Sequence, residues 1–269
     1  MLAEAIRFSV VAGGKRLRPI LCLAAAEAVG GDPIRAMPAA CAIEFIHTYS
    51  LIHDDLPAMD NDTMRRGKPT LHVVAGEGLA ILAGDGLLTE AFALMAREPD
   101  AEDPETSARK LRVIRLVADA AGPAGMVGGQ VLDLHGSSAG ASHDADQLRA
   151  MHAKKTGALI RASAVAGAVM GAGREAFIVA IDDAATEFGL AFQIIDDVLD
   201  VEGAPAALGK NTGKDAAAGK HTYAGRYGPA EARRLALECL DRAERTLRSV
   251  GLHQSRLMDI GYWIVNRSH

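Results

Sequence analysis

The feature that most constrains this chain is a helical period that recurs along most of its length. Val113, Leu116, Val117 and Ala120 fall at i, i+3, i+4 and i+7 between Pro104 and Gly122. Ala236, Cys239, Leu240, Ala243, Leu247 and Val250 repeat the pattern between Pro229 and Gly251. Alternating runs of the β type are scarce. A stripe of this period must be buried against other helices, so the reading is an all-α chain of about ten helices. Its 269 residues, 49% of them hydrophobic, can enclose a core without disulfides.

Start signals sit where helices should begin: Asp32-Pro33 before the run 34–56, Asp103-Pro104, and Asp144 before 145–171. Stretches 98–104, 136–143 and 202–228 read as loops. The last is long and rich in Gly and Lys, which is unusual in a compact domain unless it has work to do. No internal repeat or low-complexity tract stands out. The 98–104 loop is not taken as a domain boundary, because the chemistry below draws on both sides of it. A single domain over 1–269 is expected.

Bulk properties remove several classes. A net charge of −5 argues against a nucleic-acid binder. Cys22, Cys41 and Cys239 are far apart and form no CxxC pair, so neither a zinc ribbon nor a disulfide framework is indicated. The longest apolar stretches are cut by charge at Glu44, Asp85 and Arg161, so no membrane span is expected. Glu4, Arg7, Lys15, Arg16 and Arg18 leave no uninterrupted apolar core for a signal peptide. The cytoplasm is the expected compartment.

Two aspartate clusters interrupt the apolar runs. The first is His53-Asp54-Asp55-Leu56-Pro57-Ala58-Met59-Asp60-Asn61-Asp62, and the second Gln193-Ile194-Ile195-Asp196-Asp197-Val198-Leu199-Asp200. Acids among apolar neighbours are costly unless paired or metal-bound. Asp196 and Asp200 are four apart and share a helix face. Asp54 and Asp60 are six apart and would diverge on a straight helix. Pro57 has no N–H and clashes with the carbonyl four residues back, so the helix should end or bend there and let Asp60 fold back toward Asp54. Two such sets facing each other make a hard-oxygen site suited to magnesium, with water and phosphate oxygens completing each shell. Taken singly, either cluster reads as a solvated acidic patch. Two of them, about 140 residues apart and both flanked by Ile and Leu, argue for a common site.

Basic groups match these acids. Gly13-Gly14-Lys15-Arg16-Leu17-Arg18-Pro19 places three cations in a glycine-opened turn. Arg65-Arg66-Gly67-Lys68 follows the first aspartates, Lys155-Thr156-Gly157 sits on a helical run, and Lys210, Lys214 and Lys220 stud the long loop. Arginine grips phosphate with two donors, and lysine supplies a mobile charge. Each basic run alone reads as a solvated face; together with the acids they describe a polyphosphate site. Nucleotide motifs fail: Gly203 to Lys210 is one residue too long for a P-loop, and Asn211 stands where a Ser or Thr would hold magnesium.

With these motifs in place, the chain resembles the trans-isoprenyl diphosphate synthases, in particular their bacterial farnesyl diphosphate synthase branch. The marks run from Gly13 to near the C-terminus: GGKRLRP, HTYSLIHDDLPAMDNDTMRRGKPT, AILAGD, GGQ with Asp133, KTGALI, FQIIDDVLD and LGKNTGKD. The resemblance implies a bundle of helices around a deep central cavity, usually as a homodimer, with the two aspartate motifs facing each other at the cavity mouth. It implies magnesium on Asp54, Asp55, Asp60, Asp196, Asp197 and Asp200, bridged to an allylic diphosphate. Arg65, Lys155, Gln193, Lys210 and Lys220 would contact that diphosphate. Thr156 and Gln193 would turn oxygens toward a developing cation. Lys15, Arg18, His47 and Arg66 would hold isopentenyl diphosphate. Tyr49, with Ser50 beside it, would set product length, since Tyr49 lies five residues before Asp54, roughly 7–8 Å along a helix.

The implied reaction is ionisation, condensation and elimination to farnesyl diphosphate. Geranylgeranyl diphosphate synthase is the nearest alternative. A non-catalytic partner subunit is expected to lose aspartates, and both motifs here are intact. A terpene cyclase would not need the isopentenyl diphosphate set. Twelve residues precede Gly13, where the family carries about a helix pair's worth, so the N-terminus is expected to be shortened relative to the family.

Overall fold

The computed structural model describes residues 1–100, 103–136, 145–202 and 222–268. Thirteen α-helices lie among them: α1 Leu2–Val10, α2 Leu17–Ala28, α3 Pro33–Asp54, α4 Leu71–Ala75, α5 Glu77–Arg97, α6 Pro104–Ala121, α7 Met126–Gly136, α8 Ala145–His152, α9 Ala158–Met170, α10 Glu175–Glu202, α11 Tyr223–Tyr227, α12 Pro229–Ser249 and α13 Arg256–Asn266. The count exceeds the expected ten partly because α4 and α11 have five residues each, too few to show a period. The only strands described are β1 Met64–Arg65 and β2 Lys68–Pro69, an antiparallel pair closed by Arg66 and Gly67 at φ 53° and 73°. Positive φ at both turn residues is the geometry that matches strand twist in a two-residue hairpin.

The start signals at Asp32 and Asp103 act as read. Each side chain accepts a hydrogen bond from a first-turn N–H: Ile34 at 2.9 Å for Asp32 and Thr106 at 2.7 Å for Asp103. Asp144 lies outside the described residues. The run 145–171 is not one regular helix, because a π turn, Ala153–Gly157, separates α8 from α9. The loop reading of 202–228 also changes at its end, where α11 forms; residues 203–221 are outside the described set.

Helix α9 is the packing centre. Every residue from Leu159 to Met170 except Arg161 is buried, as expected for a helix apolar almost all round. Against it lie α2, α10, α6 and α3. α10 also runs along α12, and α3 along α5. The Ala- and Gly-rich sequence of α9 allows close approach: a Cβ on Gly167 would stand 1.8 Å from the Cys22 carbonyl oxygen of α2. The apolar positions read from the periods behave as expected, with Val113, Val117, Ala120, Ala236, Cys239, Leu240, Ala243 and Leu247 buried.

One expectation meets a counter-observation. By length and composition alone, α5 is long and apolar enough to cross a membrane. It carries Asp85 mid-helix and packs on α1, α3, α4 and α6 through Ala80, Ala83, Leu87, Ala91 and Met95. Its outward side leaves Ile81 and Leu82 exposed.

The α2–α9 contact yields a direct test. Gly167→Ala forces a methyl into backbone, an overpacking that costs about 1–3 kcal/mol. Thermal denaturation should show Tm lowered by several degrees, whereas Gly78→Ala, which meets open space, should leave Tm almost unchanged.

Candidate active site

The first aspartates stand where α3 stops. Asp55 ends the helix, Pro57 cannot continue it, and the chain doubles back. The Asp60 N–H donates to the Asp54 carbonyl at 2.9 Å, so Asp60 does return to Asp54. Burial pushes the Asp54 carboxyl up to about 6; Asp60 and Asp55 add to the rise, while Lys155 and Arg65 oppose it. Asp55 points inward and is buried, accepting from Arg65 Nε at 2.6 Å. Arg65, read as a phosphate contact, is here held between Asp55 and Asp62, whose carboxylate lies 3.8 Å away.

The second cluster lies on α10. Asp196 is open to solvent and pairs with Arg267 Nη2 at 3.0 Å, and Asp200 is partly exposed. Asp197 is buried. Its Oδ1 accepts from Gln193 Nε2 at 2.9 Å and its Oδ2 from the Tyr223 backbone N–H at 2.8 Å. Gln193 Oε1 in turn accepts from the Thr156 hydroxyl at 3.0 Å.

The π turn joins the two clusters. Single π turns widen a helix locally and favour functional sites. Here the turn carries Lys155 and Thr156 and is gripped on two sides. A Cβ on Gly129 of α7 would lie 2.2 Å from the Lys155 nitrogen, and one on Gly189 of α10 would lie 3.0 Å from the Gly157 Cα. Lys155 Nζ donates to Asp133 Oδ2 at 2.5 Å. Lys155 is also the strongest charge lowering the Asp54 pKa. His152, three residues earlier and buried, is pushed down to about 4 by burial, with Asp133 and Asp196 pulling upward and Lys155 pushing down. Asp54, Lys155, Asp133, His152 and Asp196 therefore share one electrostatic neighbourhood.

A basic pocket adjoins it. Arg18 is buried and pushed down to about 10, by burial first, while Glu44 and Asp196 favour its charge and Arg66 opposes it. Its Nε is buried with no hydrogen-bond partner. His47 is held well below its ordinary value by burial and by Arg18, Arg66, Arg65 and Arg16, so it is neutral near pH 7. Arg16 pairs with Glu44, and Arg66 donates to the Gly13 carbonyl. Lys15 Nζ stands 6.0 Å from the Phe192 ring centre. Arg18, His47 and Arg66 thus share one charge neighbourhood.

Tyr49 is buried with its ring edge-on to His53 at 5.6 Å, and the Ser50 hydroxyl donates to the His47 carbonyl at 2.9 Å. Lys210 and Lys220 lie outside the described residues. Glu44, His152, Tyr223 and Arg267 were not assigned to the site from sequence. Arg267 reaches Asp196 from the far end of the chain, and no local spacing announces it.

Comparison with known proteins decides the family. The polyprenyl synthetase family profile matches residues 1–248. The chain belongs to the polyprenyl synthetase family. It is 45% identical over its whole length to farnesyl diphosphate synthase of Geobacillus stearothermophilus, covering 89% of that protein. It is equally identical, over 99% of its length and 87% of the relative, to geranylgeranyl diphosphate synthase of Cyanophora paradoxa. The crystal structure of an FPP/GFPP synthase from Zymomonas mobilis superposes with a TM-score of 0.85 at 37% identity, covering 98% of this chain and 88% of that one.

In this polyprenyl synthetase the acidic site is strained electrostatically. Among the described residues, no three His, Cys, Asp or Glu side chains converge on one point as a closed metal site. The charge on Asp54 is instead offset only in part, by Lys155 and Arg65. A carboxyl whose folded pKa is raised contributes stability that is full below its ordinary range and lost as pH rises through about 6. Asp54→Asn should therefore raise Tm in chelator at about pH 7.5 and do so much less at about pH 5. An equal gain at both values would show that Asp54 is not strained by its charge.

Proposed function

We propose that this chain is a trans-prenyltransferase that condenses isopentenyl diphosphate with dimethylallyl or geranyl diphosphate and releases farnesyl diphosphate. The observation that carries it is the meeting of two unlike half-sites at Asp196 and Arg18: an acid-rich half on α3 and α10, and a basic pocket on α2 and α3. The described site residues come from both sides of 98–104, which supports a single domain.

Isopentenyl diphosphate belongs in the basic pocket. The unpartnered Nε of Arg18 supplies a donor, and neutral His47 binds without adding to the crowd of positive charge. The allylic diphosphate belongs beside Lys155, Arg65, Thr156 and Gln193, with Lys210 and Lys220 added from the 202–228 stretch. The donor set fits magnesium in a particular way. Asp54 and Asp60 from the end of α3, and Asp196 and Asp200 from α10, would hold the ions together with the diphosphate, as suits a hard cation bound by few carboxylates. When bound, magnesium draws charge from the departing diphosphate.

The chain's own groups do the rest. Lys155 steadies the leaving oxygens as the allylic C–O bond opens. Thr156 presents its hydroxyl oxygen toward the cation, and Gln193 holds that hydroxyl in place. The isopentenyl double bond attacks, and the proton leaves to the released diphosphate, so no side-chain base is needed. Apolar walls exclude water from the cation.

A product assay with magnesium, isopentenyl diphosphate and each allylic primer tests this. Asp54→Ala and Asp196→Ala should each lower kcat by at least about a hundredfold. Full activity in either variant would sink the two-cluster reading. Geranylgeranyl diphosphate is the second reading, favoured by the equal identity to the Cyanophora enzyme. Tyr49 discriminates the two. It lies one and a half turns before Asp54 and closes on His53, so Tyr49→Ala should lengthen the products without altering metal dependence.

We further propose a homodimer formed through the outward side of α4 and α5, where Val73, Val74, Ile81 and Leu82 are exposed. Covering this face removes any need for a membrane and suits the cytoplasm. Leu82→Glu should convert dimer to monomer by light scattering; an unchanged mass would place the contact elsewhere.

A further inference from the structure

We propose that Asp197 is a positioning residue of the prenyl transfer rather than a magnesium ligand: it holds Gln193, Thr156 and the start of α11 in fixed register. The inference rests on the prenyltransferase reading above.

Exposure separates the two adjacent aspartates. The Asp196 side chain is 52% exposed and the Asp197 side chain 2%. Both oxygens of Asp197 already accept hydrogen bonds, one from Gln193 Nε2 and one from the Tyr223 N–H. The His152 ring closes the same pocket, with Nε2 3.9 Å from Oδ2 and its centre 5.9 Å from that of Tyr223. To reach Asp197, an ion would have to shed its water and enter a place that is 2% exposed and already filled by the Gln193 amide, the Tyr223 N–H and the His152 ring.

The hydrogen bonds form one directed chain. The Tyr223 N–H donates to Asp197, Gln193 Nε2 donates to Asp197, and the Thr156 hydroxyl donates to Gln193 Oε1. This couples α11, α10 and the π turn. Thr156 is adjacent to Lys155, so the direction of the Gln193 amide and the seat of Lys155 depend on Asp197 even though it touches neither substrate.

The chain can also run in reverse, and that makes it testable. In Asp197→Asn the new Oδ1 accepts from Tyr223 while Nδ2 faces Gln193. The Gln193 amide turns over to present its oxygen, and its nitrogen then faces Thr156, whose hydroxyl accepts as readily as it donates. The contacts of Tyr223, Gln193 and Thr156 along this chain each keep a complementary partner. A leucine at 197 orphans all of them.

The experiment measures kcat, KM for each substrate and the half-saturating magnesium concentration. Asp197→Asn should keep kcat within about tenfold of wild type and leave half-saturating magnesium unmoved. Asp196→Asn should raise half-saturating magnesium by at least about tenfold. Asp197→Leu should lower kcat by more than about a hundredfold while KM for isopentenyl diphosphate holds. Thr156→Val supplies a variant that does not disturb the buried acid: combined with Asp197→Asn it should lower kcat by more than the product of the single effects, because the turned Gln193 then lacks an acceptor.

A rise in half-saturating magnesium for Asp197→Asn comparable with that of Asp196→Asn would overturn the proposal, and so would multiplicative behaviour of the double variant. A wild-type protein with no prenyl transfer would instead overturn the reading on which it rests.

Discussion

Carboxylates set side by side in a half-buried place repel one another, and Lys155 is the cation that keeps this arrangement tolerable. It donates to Asp133 and is the leading charge opposing the rise in the Asp54 pKa. Its ammonium therefore stands between α7 and the end of α3, on the same side as His152 and Asp196. Remove that charge and the first cluster loses its main internal counterweight; shift it and both clusters lose their common neighbour. The compensation is incomplete, which is the condition the proposed magnesium site needs. A cluster fully neutralised by its own side chains would have little affinity left for a metal-bound substrate.

Placing Lys155 depends on close backbone approach rather than on side-chain bulk. The π turn occupies more width than an α turn, and it fits only because Gly129 and Gly189 present no side chain to it. This gives a physical meaning to three short motifs. GGQ supplies the surface that accepts the turn, KTG supplies the turn, and the α10 segment before FQIIDDVLD closes it from the other side. The same logic, small residues admitting backbone, builds the α2–α9 contact at Gly167. The fold that carries the charges and the site that uses them are thus made by one device.

Much of this was legible in the sequence because it follows from local rules. Pro57 forces the end of α3, so the return of Asp60 to Asp54 can be read from chain chemistry alone. Asp32 and Asp103 precede prolines and cap their helices. Arg18, His47 and Arg66, which share one charge neighbourhood, fall within two short motifs and so could be read together. The π turn was not, since a single inserted residue leaves no compositional trace. The pairings of Asp196 with Arg267 and of Asp197 with Tyr223 were not legible either. They join positions 71 and 26 residues apart, and only tertiary packing brings such partners together. Nor did the sequence distinguish the jobs of adjacent aspartates; both members of each pair were read alike.

Helix geometry explains why they cannot be alike. Successive residues on an α-helix point about 100° apart, so two neighbouring aspartates never face the same ligand, whereas residues four apart do. On α10 this aligns Asp196 with Asp200 toward solvent and turns Asp197 into the interior. At the end of α3 it leaves Asp54 partly open and turns Asp55 inward. An inward carboxylate must find donors, and each does so in its own way. Asp55 takes the Arg65 guanidinium and thereby fixes the hairpin that carries Arg66 to the Gly13 carbonyl. Asp197 takes a backbone N–H and an amide, and thereby fixes α11 and Gln193. A doubled aspartate is thus a way to combine an open carboxylate with a buried anchor on one turn. The anchor draws the neighbouring segment, hairpin or helix, to the edge of the site. What lies beside each open carboxylate is then set by its inward neighbour.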